Sequence, residues 1–148
     1  MSFKKSTYSG TICNSYLYFA FDGNYFDLNS ISKVLELKPT SIIQKKEQVP
    51  KNTCWKYEMQ AGDDADLLSH LNSLINVFES KIELIVSLNK ELKTKTRLQF
   101  VIDIDINPES STPYFPFDER TVKFLAKTNS IVDFDIYKSD TIGLLNKI

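Results

Sequence analysis

Glycine, histidine and cysteine are scarce in this sequence of 148 residues, which contains four, one and two of them. The glycine-rich phosphate-binding motifs GxxxxGK and GxGxxG are absent, as are the GxSxG and HExxH signatures of hydrolases and metalloproteases. The single histidine, His70, therefore has no nucleophile elbow to activate. Cys13 and Cys54 form neither a CxxC redox pair nor a zinc ligand set. These absences make an enzyme the less favoured interpretation, and we expect no cofactor.

Long apolar runs are also missing. No run approaches the ~18 residues of a membrane-spanning helix, and no apolar leader with a cleavage site follows Lys4 and Lys5. We therefore expect a cytoplasmic protein with no membrane partner, in which a reducing environment keeps both cysteines as thiols. The formal net charge of -1 gives no general reason to bind nucleic acid.

Hydrophobic periodicity predicts strands that alternate with amphipathic helices. The predicted strands cover about residues 11–22, 40–43, 53–60, 97–106 and 131–137, and the predicted helices about residues 30–37, 65–93 and 118–128. Asn29 or Ser30 is expected to cap the first helix, and Asp118 the last. A helix of ~28 residues would be ~42 Å long, so we expect a break near Glu79 to Lys81.

Each predicted strand has one apolar and one polar face, whereas a sheet buried on both faces would show continuous apolar runs. We therefore predict one α+β domain over residues 1–148, with flexible tails at 1–10 and 139–148. Its two layers are a mostly antiparallel or mixed sheet and helices on one face. The first six elements match a ferredoxin-like βαββαβ core, followed by a C-terminal αβ extension.

Polar residues at alternate strand positions are expected on the face that the helices leave open. This set is Asn14, Tyr16, Tyr18, Lys56, Glu58, Asp103, Asp105, Asp133, Asp135 and Tyr137. The last strand–helix–strand unit predicts two parallel, adjacent strands that carry the two Asp-x-Asp pairs. Four carboxylates are thus predicted to share one surface with tyrosines.

Three interpretations of this acidic surface remain open. Aspartates on a solvated sheet face prevent edge-to-edge aggregation. Tyrosines beside clustered carboxylates also suit the binding of a basic protein. Finally, carboxylates are the ligands that Mg²⁺ and Ca²⁺ prefer.

Opposite charges are concentrated in different parts of the chain. Residues 1–58 contain eight Lys and five Asp or Glu, a formal charge of +3, whereas residues 97–137 contain four Lys or Arg and seven Asp or Glu, a formal charge of -3. Basic residues near Trp55 and Tyr57 resemble a single-stranded nucleic-acid site. However, alternation places both aromatic side chains on the predicted core face, so we expect a solvated lysine loop beside a core tryptophan and no nucleic-acid partner.

Several short motifs resemble the bacterial domain-of-unknown-function family 4279. They are Tyr16-Leu-Tyr-Phe-Ala-Phe with the acidic turn after it, Ile31-Ser-Lys-Val-Leu-Glu-Leu-Lys-Pro39-Thr40, and Trp55 after a lysine-rich loop. The resemblance covers about residues 14–138 and implies a strand, a short helix, a strand with the tryptophan, a long helix and a final strand–helix–strand. It implies no catalytic residue. Small single-domain proteins of this kind also resemble immunity proteins of bacterial toxin systems.

These observations together favour a binding protein. The main hypothesis is an immunity-like protein whose face with Tyr16, Tyr18, Tyr137 and the four aspartates covers a basic partner such as a toxin domain. The alternatives are a small hydrolase or metal-dependent enzyme that uses the carboxylate cluster, and a homodimer formed through an edge strand or the open sheet face.

Overall fold

A computed structural model describes residues 15–59, 66–109, 113–140 and 142–147. The strands are β1 Tyr16–Gly23, β2 Ser41–Ile43, β3 Thr53–Glu58, β4 Lys95–Asp105 and β5 Ile131–Ser139. The helices are α1 Leu28–Leu35, α2 Leu67–Phe78, α3 Ile82–Leu92 and α4 Glu119–Lys127, with 3-10 turns at Glu79–Lys81 and Leu144–Lys147. The predicted α+β class is confirmed, and the predicted alternation of strands and helices holds in these ranges.

The five strands form one mixed sheet in the order β2-β3-β1-β4-β5. β1 pairs antiparallel with both β3 and β4, and β2 pairs antiparallel with β3. β5 pairs parallel with β4, because the connection through α4 returns the chain in the same direction. The predicted parallel, adjacent arrangement of the last two strands is therefore confirmed.

Aspartate side chains set the starts of three helices. Asp27, Asp66 and Asp118 accept hydrogen bonds from the backbone N–H groups of Asn29, Ser69 and Thr121, at 3.0, 2.7 and 2.8 Å. Each bond satisfies an N–H group that has no partner within the helix. The prediction for Asp118 is correct. The first helix, in contrast, begins at Leu28 rather than Ser30, because Asp27 provides the cap instead of Asn29 or Ser30.

The long helical stretch is interrupted where the sequence predicts a break. A 3-10 turn at Glu79–Lys81 separates α2 from α3. Phe78 ends the buried stripe of α2, and the next fully buried side chain is Ile85 in α3. The turn therefore separates two helices that both place side chains in the core, Phe78 from α2 and Ile85 from α3.

The main core lies between the helices and one face of the sheet. Alternate residues of β1 and β4, including Phe19, Phe21 and Phe100, pack there against Phe78 and Phe124. Trp55 is also fully buried, and its indole N–H donates to the Ser32 hydroxyl at 2.9 Å. All four helices contribute to this one cluster, so the helices cover one face of the sheet and leave the other open.

Some predicted features fall at the limits of the described chain. The start of the first predicted strand, Cys13, Asn14 and Gln60 lie outside the described residues. β5 extends to Ser139, and the Asp140 carboxylate accepts from the N–H groups of Leu144 and Leu145 at 2.8 and 2.9 Å. No helix in the described ranges is long and apolar enough to cross a membrane.

Candidate functional site

The pairing of β4 with β5 places the four predicted aspartates on the open face. Asp103 lies level with Tyr137, and Asp135 lies level with Val101. The two Asp-x-Asp pairs are therefore staggered along the strands and do not lie directly side by side. We call the set of Asp103, Asp105, Asp133, Asp135 and Tyr137 the acidic margin.

Within the acidic margin, the residues of β5 are the accessible ones. Asp133, Asp135 and Tyr137 are exposed, and Tyr137 is 60% exposed. Asp103 and Asp105, at the end of β4, are half-buried. No Lys or Arg in the described part of the chain lies within ion-pair distance of Asp133 or Asp135. These two carboxylates are therefore available to a cation from outside.

The half-buried pair of aspartates is held by local contacts. The backbone N–H of Asp103 donates to the Ser15 hydroxyl at 3.0 Å, and the Asp105 carboxylate accepts from the Asn107 N–H at 3.0 Å. Oδ1 of Asp103 is buried without a hydrogen-bond partner among the described residues. This end of β4 thus carries negative charge into a partly desolvated position.

Tyr16 connects the acidic margin to the centre of the sheet. It lies level with Val101 on β4 and is half-buried, and its ring stacks on that of Tyr18 with centroids 6.5 Å apart. Burial raises the pKa of the Tyr16 phenol, and the negative charge of Glu58 adds to the effect. Tyr16 is therefore a neutral hydroxyl with part of its ring accessible.

Tyr18 faces the open side as predicted, but it is only 8% exposed. The Lys56 ammonium lies over its ring, 4.7 Å from the centroid, and the Arg97 guanidinium carbon lies 5.6 Å from the same point. Cation–π contacts of this kind bury an aromatic ring under charged side chains. Tyr18 is therefore part of the packed sheet and offers little surface to a partner.

Arg97 organises the centre of the open face, and the sequence-based site did not include it. Its Nε and Nη2 donate to the two oxygens of Asp22 at 2.7 and 3.1 Å, and Nη1 donates to the Tyr18 hydroxyl at 3.3 Å and to the Gln99 side chain. The paired Asp22 raises the pKa of Arg97 further above its usual range. The only sign of it in the sequence is spacing. Arg97 lies an even number of positions from Asp103 in the same strand, so both side chains are expected on the same face of the sheet. We call Tyr18, Ala20, Asp22, Cys54, Lys56, Arg97 and Gln99 the central cluster.

Cys54 is a buried thiol within the central cluster. Burial raises its pKa to about 12, and the neighbouring Asp22 contributes through a hydrogen bond and its charge. A thiol with so high a pKa is a poor nucleophile at neutral pH. Its position argues for packing rather than chemistry.

The lysine-rich loop does not form a stacking platform. Trp55 is fully buried, and Tyr57 packs against the helix-side core, where its ring meets that of Phe78 edge to face. The Lys45 ammonium lies over the exposed ring of Tyr25, 4.8 Å from its centroid. The structure thus agrees with the prediction that Trp55 belongs to the core.

His70 lies in the interior, on the buried side of α2. It is 3% exposed, and neither ring nitrogen has a hydrogen-bond partner among the described residues. Burial lowers its pKa, and the charge of Asp66 opposes this in part. The stripe that α2 buries is wide enough to include His70 beside Leu67, Leu71 and Leu74.

The geometry offers little for metal chemistry. In the part of the chain that the structure describes, no group of three or more His, Cys, Asp or Glu side chains could hold a metal ion. The staggered arrangement of the acidic margin spreads its carboxylates along two strands instead of around one point. The site as built can attract and orient a cationic surface.

Comparison with known proteins gives one match. A family model described as a domain of unknown function, DUF4279, matches residues 13–139. Neither the curated proteins nor the solved structures compared contain a match. The matched range includes all five strands and every residue of the acidic margin. The chain belongs to the DUF4279 family.

Proposed function

We propose that this protein is a non-enzymatic binding protein, immunity-like in action, that binds and neutralises a toxin or other basic protein partner through the acidic margin. The observation that carries the proposal is the parallel pairing of β4 and β5. It places Asp133 and Asp135 on an exposed face beside Tyr137, and among the described residues no Lys or Arg lies within ion-pair distance of either carboxylate.

Electrostatics supports this choice of partner. The exposed carboxylates of Asp133 and Asp135 create a local negative potential that accelerates the approach of a basic surface. A toxin that acts on nucleic acid needs such a basic surface for phosphate contacts. A protein that covers this surface with carboxylates would block the toxin. Tyr137 adds a large, rigid contact area of the kind enriched at interfaces.

Two finer assignments belong to this proposal. The order β2-β3-β1-β4 with antiparallel neighbours supports a ferredoxin-like arrangement of the elements from β1 to β4, in which α2 and α3 together form the second helical segment. α4 and β5 add the extension. A cytoplasmic location agrees with Cys54 as a buried thiol, which a reducing compartment would preserve. The hydrolase alternative has no observation in its favour.

The experiment uses the product of a toxin-like reading frame next to the gene. Co-expression with this chain should restore growth of a host that the toxin arrests, and the two purified proteins should bind each other. Reversing two charges in Asp103→Lys with Asp133→Lys should weaken binding about tenfold or more at low salt, and the loss should shrink as salt screens the charges.

The matched control reverses two exposed acids on the helix side of the molecule, Glu83→Lys with Glu91→Lys. This control changes the net charge by the same amount but leaves the acidic margin intact. If both double variants bind the partner equally weakly, the loss of affinity comes from net charge alone. That result would contradict the acidic margin as a specific binding surface. Unchanged affinity of the first variant would exclude the acidic margin as the binding surface.

A further inference from the structure

β5 is the last strand of the sheet, and its outer side has no strand against it in the described ranges. It is nine residues long, and most of its residues are exposed. The opposite edge of the sheet, β2, has only three residues. A long uncovered edge presents unpaired backbone donors and acceptors on which another strand can form.

The hydrogen bonds show which backbone groups of β5 face outward. The Ser139 carbonyl accepts from the Ile106 N–H at 2.9 Å, so Ser139 directs its backbone toward β4. Backbone direction alternates along a strand, and Asp133, Asp135 and Tyr137 share the parity of Ser139. The outward donors and acceptors therefore belong to Val132, Phe134, Ile136 and Lys138.

The two sides of this edge differ in chemistry. On the helix side, Phe134 and Ile136 are 43% and 62% exposed. The ring of Phe134 stacks on that of Phe100, with centroids 5.2 Å apart, so its position is fixed by the core. On the open side the same edge presents Asp133 and Asp135. An added strand would meet an apolar row on one side and a carboxylate row on the other.

We propose that the β5 edge binds an extended segment of the partner protein by strand addition, and that this segment alternates basic and apolar residues. Its basic side chains would lie beside Asp133 and Asp135, and its apolar side chains beside Phe134 and Ile136, as cross-strand neighbours. The inference rests on the proposed function, because it describes how a basic partner engages the acidic margin.

Charge argues for a different chain rather than a second copy of this one. In an antiparallel self-pairing, a two-fold axis at Asp135 places that carboxylate opposite its own copy, and an axis at Phe134 places Asp133 opposite Asp135. Like charges directly opposite each other destabilise a strand pair. An axis at Ile136 avoids both clashes, so self-association is an outcome that the test must detect.

The first probe is a fluorescent peptide of about seven residues in which lysine and valine alternate. In an extended strand all its lysines lie on one side. The control peptide has the same composition with lysines and valines in separate blocks. We expect the alternating peptide to bind at least about tenfold more tightly, and methylation of its backbone nitrogens to abolish binding, because strand addition needs main-chain donors. Equal binding of all three peptides would overturn the proposal.

The second test changes the protein at one position. Ile136→Pro removes an outward N–H that β4 does not use, and proline is tolerated at such edge positions. Ile136→Ala removes the same apolar side chain but keeps the N–H. The proline variant should bind the alternating peptide about tenfold more weakly than the alanine variant. If the proline variant does not fold, the binding of the methylated peptide to the unchanged protein still tests whether main-chain hydrogen bonds are required.

The outcomes separate this inference from the proposed function. If charge reversal weakens binding of the toxin-like partner while the proline and alanine variants bind it equally, the face binds without strand addition. If no peptide binds even at millimolar concentration, the edge proposal is wrong. A dimer in sedimentation that Ile136→Pro dissociates would show that a second copy occupies the edge, and would also overturn the proposal.

Discussion

The side chains on the two faces of this sheet are buried by different means. On the helix side, Phe19 and Phe21 of β1 are fully buried among aromatic and aliphatic side chains. On the open side, Tyr18 and Ala20 of the same strand are nearly as inaccessible, although none of the described helices covers them. There the ring of Tyr18 lies under the Lys56 ammonium and the Arg97 guanidinium, and Arg97 is held by its hydrogen bonds to Asp22. Apolar packing and a hydrogen-bonded network around Arg97 can thus both shield the side chains of a strand from solvent. The network, however, leaves a half-buried charge without a partner when one of its members is removed.

The largest effect should come from the helix side. Phe19→Ala removes a fully buried ring that packs against Phe21, Phe78 and Phe124. We expect a loss of about 3–5 kcal/mol in the free energy of unfolding, because the ring leaves a cavity that its neighbours fill only in part. Urea denaturation would measure it. A loss below about 1 kcal/mol would mean that the core repacks more freely than its contacts suggest.

A smaller effect is expected from the open side. Arg97→Ala leaves Asp22 half-buried without its partner, and we expect a loss of about 1–3 kcal/mol. Lys95→Ala is the control, since Lys95 is exposed on the same face. Similar losses for both variants would show that the network adds nothing.

The pH dependence of the free energy of unfolding should reveal the contribution of His70, a buried titratable side chain on the helix side. Burial lowers the pKa of His70, so the unfolded chain binds more protons than the folded protein between that lowered pKa and about 6.5. This contribution to stability is therefore complete above pH 6.5 and is lost as the pH falls below it. His70→Leu should flatten the dependence between pH 7 and pH 5. An unchanged slope in urea denaturation at the two pH values would assign the effect to other groups.

The smallest effect on stability should come from the acidic margin. Asp133→Asn with Asp135→Asn changes two exposed carboxylates that make no ion pair in the described chain, so we expect a change within about 0.5 kcal/mol. The same variant should bind the basic partner more weakly. A large loss of stability would mean that Asp133 and Asp135 stabilise the sheet. It would contradict the distinction between a structural central cluster and an acidic margin that is accessible to a partner.

The sequence predicted the elements better than the surface. Local signals placed the break at Glu79–Lys81 and the cap at Asp118, because both depend on near neighbours. Strand alternation placed Trp55 in the core and the four aspartates on the open face, because side chains alternate along any strand. The last strand–helix–strand unit predicted the parallel pairing of β4 and β5, because a helix between two strands returns the chain in the same direction.

Accessibility was harder to predict from parity alone. Tyr18 has the correct parity for the open face but lies under Lys56 and Arg97, which come from two other strands. The pairing of Arg97 with Asp22 joins residues 75 positions apart in sequence, so no local pattern reveals it. The stagger of the two Asp-x-Asp pairs likewise depends on strand register, which the sequence leaves open.

The alternating backbone of β5 has a consequence for hydrogen exchange. The N–H groups of Asp133, Asp135 and Tyr137 point into the ladder with β4, whereas those of Phe134, Ile136 and Lys138 point outward. Along a single strand, slowly and rapidly exchanging amides should therefore alternate residue by residue. Occupation of the edge would erase this pattern and slow every amide from Asp133 to Lys138.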